Sequence, residues 1–167
     1  MLTIITDTRE KSPLDFSAYS QIETRTETLS VGDYSCLHSD GSKDNSIIER
    51  KSVSDLWTSY TSGYDRERDK ILRAKEAGLD FILAIEDSAW NVRRGYEFYS
   101  GGESHRSRKD GLTMIRQLMT ISRKYSIQVW FCESRKDMTF RIVEWFLAYE
   151  RILERIKKDE LLQSKVS

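Results

Sequence analysis

Val31 to Asp55 reads V-G-D-Y-S-C-L-H-S-D-G-S-K-D-N-S-I-I-E-R-K-S-V-S-D, two short apolar runs around a polar centre. Tyr34 to Leu37 and Ser46 to Arg50 predict strands, and the polar run from His38 to Asn45 with Gly41 at its middle predicts the turn between them. Folded symmetrically about Gly41, the hairpin sets Asp33 opposite Glu49 on neighbouring strands, side chains on one face and a few ångströms apart. Like charges so placed repel, and a divalent cation bound through carboxylate oxygens, Mg²⁺ or Mn²⁺, offsets the repulsion. Lys51 follows Glu49 by two residues and shares its face, while Arg50 points the other way. Two carboxylates, an ammonium and a cation suit phosphodiester hydrolysis: the cation acidifies water and draws charge from the phosphoryl oxygens, and the lysine orients the attacking water or stabilises developing charge. An isolated G-D or E-R-K more often marks solvated charges on a surface hairpin; the reading rests on the ordered combination.

Working outward, Leu2 to Thr6 predicts a first strand ending at Asp7, and strand ends are where open α/β sheets carry reactive groups. Asp7 can reach the same metal, and Arg9 can fork onto a phosphate; the alternative is an ion pair closing a turn. Gln21 to Leu29 alternates Ile22, Thr24, Thr26 and Thr28 against Glu23, Arg25 and Glu27, a strand with one exposed face. Ser52-Val53-Ser54-Asp55 has the form of a capping box, which gives Asp55 a structural role beside any role in the site. Arg66 to Ala77 reads as a helix ended by Gly78, with Arg66 either a phosphate contact or part of a solvated face. Phe81 to Ile85 reads as a central buried strand whose end, Glu86 and Asp87, is solvated, the other reading being that one of them is an acid behind the metal site.

Trp90 to Lys109 is irregular in pattern, with Trp90, Tyr96, Phe98 and Tyr99 among Arg93, Arg94, Arg106, Arg108 and Lys109. From Asp87 to Tyr125 there are eight Arg or Lys against four Asp or Glu, a local excess that predicts a DNA-contacting flap tracking the backbone and stacking bases. A mobile surface loop is the other reading. Leu112, Ile115, Leu118, Met119 and Ser122 outline a helix with one apolar face, and Ile127 to Cys132 a buried strand. From about 137 to 160 the chain reads as one long helix, apolar on more than one stripe. Trp145, Phe146, Tyr149 and Ile152 are accordingly expected at a subunit contact, in a homodimer or with a related subunit, the alternative being a core helix wedged between layers.

The 167 residues fit one domain, 1–167, able to bury its own core. Lys plus Arg and Asp plus Glu number 27 each, so DNA contact must come from a local patch. Cys36 and Cys132 are expected as buried free thiols. The N-terminus lacks the form of a signal peptide, and the longest apolar run, Phe81 to Ile85, is too short to span a bilayer. A soluble intracellular protein is expected.

The order Gly32-Asp33, a spacer, Glu49-Arg50-Lys51, three residues and Asp55 resembles the signature of the XPF/Hef family of structure-specific DNA endonucleases. Asp7-Thr8-Arg9-Glu10 resembles that family's opening motif, and Ser52 to Leu56 continues its pattern. The resemblance runs from Leu2 to about Leu153. It implies an α/β (α+β) domain of restriction-endonuclease-like fold, a central mixed sheet flanked by helices. It also implies an endonuclease acting on branched or flap-like DNA in repair or recombination. The catalytic group it implies is Asp33, Glu49, Lys51, Asp7, Arg50 and Asp55, with Mg²⁺ (or Mn²⁺) on Asp33, Glu49 and Asp7. DNA is to be held by Arg9, Arg66 and the basic stretch. Two departures stand out: Tyr64-Asp65 separate Gly63 from Arg66 where the family joins glycine and arginine, and Lys70 stands where the family has glutamine. Nothing after Lys158 has the form of the helix-hairpin-helix motifs that follow such domains. A non-catalytic DNA-binding or scaffold subunit, an exonuclease or restriction-type nuclease of the same fold, and a protein-interaction module remain the other readings.

Overall fold

The computed structural model describes residues 1–60, 62–95, 97–100, 103–106 and 110–163. Its elements are β1 (Leu2–Asp7), β2 (Ile22–Glu27), β3 (Tyr34–Leu37), β4 (Ser46–Lys51), α1 (Val53–Ser59), α2 (Tyr64–Glu76), β5 (Asp80–Ile85), α3 (Ala89–Arg94), β6 (Glu97–Ser100), β7 (Glu103–Arg106), α4 (Gly111–Tyr125), β8 (Gln128–Phe131) and α5 (Arg135–Gln163). A mixed sheet orders its strands β2-β1-β3-β4-β5-β8, and β6 pairs with β7 in a separate ribbon. Only β3 runs against the others of the sheet; the β1–β3 and β3–β4 pairings are antiparallel and the rest parallel.

Strand alternation divides the apolar residues between two cores, one on each face. Ile47, Phe81, Leu83 and Ile85 pack with Leu56 and Trp57 of α1, Ile71 and Ala74 of α2, and Met114, Leu118 and Ile121 of α4. Ile4, Tyr34, Cys36, Ile48, Ile82 and Ala84 pack with Met138, Ile142, Val143 and Phe146 of α5. The sheet is thus flanked by helices on both faces, as β4 and β5 require by being apolar on both sides. Among the described residues no helix is long and apolar enough to cross a membrane. Cys36 and Cys132 are free and buried, and burial pushes the Cys132 thiol up to about 12.

Several expectations change. β2 is an edge strand whose central residues Glu23 to Thr26 are all exposed, so its alternation buries no full face. β8, at the other edge, is half-buried at best. The stretch from Trp90 to Lys109 is not irregular throughout: it holds α3 and the β6–β7 ribbon. In α4 the buried stripe is Gly111, Met114, Leu118, Ile121 and Tyr125, whereas Leu112 and Met119 are exposed. Gly111 sets that stripe, because any Cβ there would collide with the backbone of Val92 and Arg93.

The expected interface on α5 divides in two. Phe146 is fully buried in the monomer's own core. Trp145 is half-buried, with Nε1 donating to Ser46 Oγ at 3.0 Å and its ring edge-on to Trp130 at 5.4 Å. Both pack against the chain's own sheet. Tyr149 and Ile152 are exposed, in company with Phe140 and Ile156.

Phe146→Ala should therefore cost about 3–5 kcal/mol of stability, read from urea unfolding. Ile152→Ala should change the unfolding of the monomer by less than about 0.5 kcal/mol.

Candidate active site

Because β1 and β4 run parallel and β3 runs against them, the end of β1, the approach to β3 and the end of β4 meet at one edge of the sheet. Those places hold Asp7, Asp33 and Glu49 through Lys51. Tyr34 pairs with Ile48, and extending that antiparallel register by one residue sets Asp33 across from Glu49. Asp33 is fixed by its backbone: its N–H donates to the Ile48 carbonyl at 2.8 Å, and its carbonyl accepts from Asp7 N–H at 2.8 Å. Its Oδ2 accepts from the Arg50 amide at 2.7 Å. Gly32 makes this entry possible. Its φ is +77°, and a Cβ there would strike Ile47 Cγ1, so another residue would push the Asp33 segment off β4.

The two acids are held differently. Burial, followed by the Glu49 charge, pushes the Asp33 carboxyl up to about 7 against the opposing pull of the Arg50 amide. Glu49 Oε1 accepts from Lys70 Nζ at 2.6 Å and lies 3.2 Å from Lys51 Nζ. Lys51 also reaches Glu67 Oε1 at 3.0 Å and Ser59 Oγ at 3.2 Å. Asp7 is buried, which raises its carboxyl, but the Arg9 side chain and the Leu29 and Arg9 amides outweigh this and hold it below the usual carboxylate range. Arg9 Nε and Nη2 donate to the two Asp7 oxygens at 2.7 and 3.0 Å. Asp7, Arg9, Gly32, Asp33, Glu49, Lys70 and Arg73 are among the residues lining a cleft of 300 Å³ at this edge.

Asp33 and Glu49 fit a hard divalent cation. They offer oxygen donors from two strands, their mutual repulsion is only partly offset, and Mg²⁺ keeps several waters and needs only one or two carboxylates from the protein. Asp7, the expected third ligand, is engaged otherwise. Both Asp7 oxygens are taken by Arg9 and the Leu29 amide, and among the described residues no group of three or more His, Cys, Asp or Glu is placed to hold a metal ion.

Other expected site residues lie elsewhere. Arg50, counted with the catalytic group, extends from the opposite face of β4, where it meets Glu10 at 3.0 Å and Glu86 at 3.0 Å; only its amide serves the site. Glu86, expected as a solvated strand end, is thus an ion-pair partner. Asp55 is exposed and accepts from Ser52 Oγ at 2.7 Å, while Ser52 Oγ caps its amide: it closes the start of α1 and stands outside the cleft lining. Arg66, Arg93 and Arg94 are exposed. Arg106 lies on β7, where only the backbone is described, and Arg108 and Lys109 lie outside the described residues.

Sequence reasoning passed over Glu67 and Arg73 and saw Lys70 only as a departure. A signal was present: Glu67, Ile71 and Ala74 form the buried stripe of α2, and a carboxylate on an apolar stripe requires a cationic partner.

Comparison with known proteins adds the relationship. The model of the ERCC4 domain family matches residues 6–143, most of the chain. Among solved structures, XPF from Aeropyrum pernix is similar with a TM-score of 0.66 at 19% identity, over 93% of this chain and 69% of that one. XPF from Aeropyrum pernix in complex with DNA gives 0.65 at 19% identity, over 90% of this chain and 66% of that one. At such identity the likeness is one of fold, the restriction-endonuclease-like arrangement expected from the motifs. None of the curated proteins compared matches the chain.

The raised Asp33 carboxyl has a stability consequence. Its folded value of about 7 exceeds the unfolded value of about 3.9, so stability from this group is complete below the unfolded value and is lost as pH rises through about 7. Asp33→Asn should therefore raise Tm in EDTA at pH 8 by about 2–6 °C, and the gain should shrink as the pH is lowered toward 4.

Proposed function

Because the chain belongs to the ERCC4 domain family, we propose that it is a DNA endonuclease in which Asp33 and Glu49 hold Mg²⁺ or Mn²⁺ and Lys51 acts on the attacking water. The observation that carries this reading is the pair of half-buried Asp33 and buried Glu49, facing each other at the start of β3 and the end of β4 and both lining an open cleft, with the buried Lys51 ammonium 3.2 Å from Glu49.

When bound there, the cation supplies Lewis-acid chemistry, acidifying water and taking charge from the scissile phosphate. The protein's own groups do the rest. Lys51 is held by three acceptors, Glu49, Glu67 and Ser59, and its role in this reading is to orient water and meet negative charge as it develops. Asp7 keeps Arg9 at the cleft mouth, where its guanidinium and that of Arg73 offer donors to phosphate oxygens.

Arg66, Arg93 and Arg94, with Arg106, Arg108 and Lys109 of the basic stretch, serve in this reading as contacts to the DNA backbone. Trp90 is 62% exposed with the Arg93 guanidinium 5.3 Å over its ring, a surface suited to an unstacked base. Such a surface supports branched or flap-like DNA, with its single-stranded arm, as substrate in repair or recombination. Tyr149, Ile152 and Ile156, exposed on one face of α5, support pairing with a second copy or a related subunit.

Incubation with labelled single-stranded, duplex, flap and fork DNA in Mg²⁺, Mn²⁺ or EDTA tests the reading. Cleavage should require metal, favour flap or fork, and fall at least about 10²-fold in Asp33→Asn and Glu49→Gln. DNA retained without cleavage in either metal would instead support a non-catalytic subunit. At limiting metal the rate should rise with pH through about 7, as Asp33 loses the proton that blocks its metal-binding oxygens; a flat profile over pH 6–8 would contradict its role as ligand.

A further inference from the structure

Lys70 is a cation lining the cleft that the proposed hydrolysis does not use. It extends from α2, its Nζ is 2.6 Å from Glu49 Oε1 and 3.5 Å from Glu67 Oε1, and its side chain is 26% exposed. Lys51 Nζ approaches the same Glu49 oxygen at 3.2 Å and the same Glu67 oxygen at 3.0 Å. Glu49, Lys51, Glu67 and Lys70 thus form a closed ring of alternating charge, with Asp33 outside it.

The two lysines differ in freedom. Lys51 is on β4 itself, its side chain 8% exposed, and is held also by Ser59. Lys70 opens onto the cleft, and Glu67 one turn before it offers a second resting place on the same helix. Lys70 can leave Glu49 without unfolding anything.

A divalent cation on Glu49 needs an oxygen at about 2.1 Å, and Glu49 Oε1 already accepts from an ammonium of the same sign of charge. An ammonium 2.6 Å from this carboxylate opposes a second cation on it, whichever of the two oxygens that cation takes. We propose that Lys70 is an internal counter-cation of this metal site: it neutralises Glu49 in the metal-free protein and withdraws toward Glu67 and the open cleft when the metal enters. The proposal rests on the metal reading given above. It implies that Lys70 weakens metal binding while it stabilises the metal-free protein, and that the ammonium it frees on loading faces the space a phosphate would fill.

Calorimetric titration with Mn²⁺ alone, without DNA, on the full chain tests this. Lys70→Gln and Lys70→Met should each bind Mn²⁺ about tenfold more tightly than wild type, the scale on which a nearby opposite charge competes for a carboxylate. Lys70→Arg, which keeps the charge, should bind no more tightly than wild type, and Glu49→Gln should lose the site. In EDTA, Lys70→Gln should melt below wild type, and saturating Mn²⁺ should close the gap; a purely structural lysine would not give tighter metal binding on removal. Equal or weaker Mn²⁺ binding by both neutral variants, with wild type binding normally, overturns the role of Lys70 alone. Mn²⁺ bound by none of these proteins, or as well by Glu49→Gln as by wild type, overturns the Asp33–Glu49 metal site and this proposal with it.

Discussion

The structure depends on one unfavourable contact, the approach of two carboxylates across neighbouring antiparallel strands. Left alone, Asp33 and Glu49 would part the start of β3 from the end of β4. The fold opposes this with backbone hydrogen bonds to Asp33 from both neighbours and with two lysines on Glu49. Burial, with the Glu49 charge adding to it, still leaves the Asp33 carboxyl raised. Residual destabilisation of this kind is common where binding rather than folding is to be served, and an incoming divalent cation would relieve it.

The opposite face of the same strand shows how the site is braced. Arg50 meets Glu10 through two nitrogens and Glu86 through the third. Glu86 in turn accepts from Arg135 at 2.6 Å, and Arg135 reaches the carbonyls of Ser12 and Pro13. This chain of ions ties together the segment after β1, the ends of β4 and β5 and the start of α5, beside the strand ends that carry Asp33 and Glu49. Its worth lies in fixing the relative positions of those elements, since buried ion pairs contribute little net stability. Farther along α5, His38 in the hairpin turn meets Glu150 and Asp44, each at 2.9 Å. The long helix is thus anchored at both ends of the hairpin, and beyond Glu150 it is largely exposed.

The local pattern reveals the hairpin well because its register is local. Gly41 at the turn centre and seven residues on each side determine that Asp33 meets Glu49. Arg50 pointing away follows from strand alternation, and the two-sided apolar pattern of β5 follows from burial between helices. Less legible was whatever depends on distant partners. Composition alone does not show that β2 and β8 are edges, that Gly111 must pass against Arg93, or that Phe146 turns to the sheet rather than to solvent. The pairing of Asp7 with Arg9 was weighed as the alternative, and the structure forms that pair. Lys70 and Glu67 come from a helix whose rotation over the site is set by Ile71 and Ala74, so their convergence on Glu49 and Lys51 becomes visible only once the helix is docked.

Anomalous diffraction from crystals of the protein grown with Mn²⁺ tests the central claim most directly. The account predicts a peak between the carboxylates of Asp33 and Glu49, within about 2.3 Å of an oxygen from each, and Lys70 Nζ displaced from Glu49 Oε1. Strong Mn²⁺ density elsewhere with this pair vacant, or none at saturating Mn²⁺ with Lys70 still on Glu49, would contradict it.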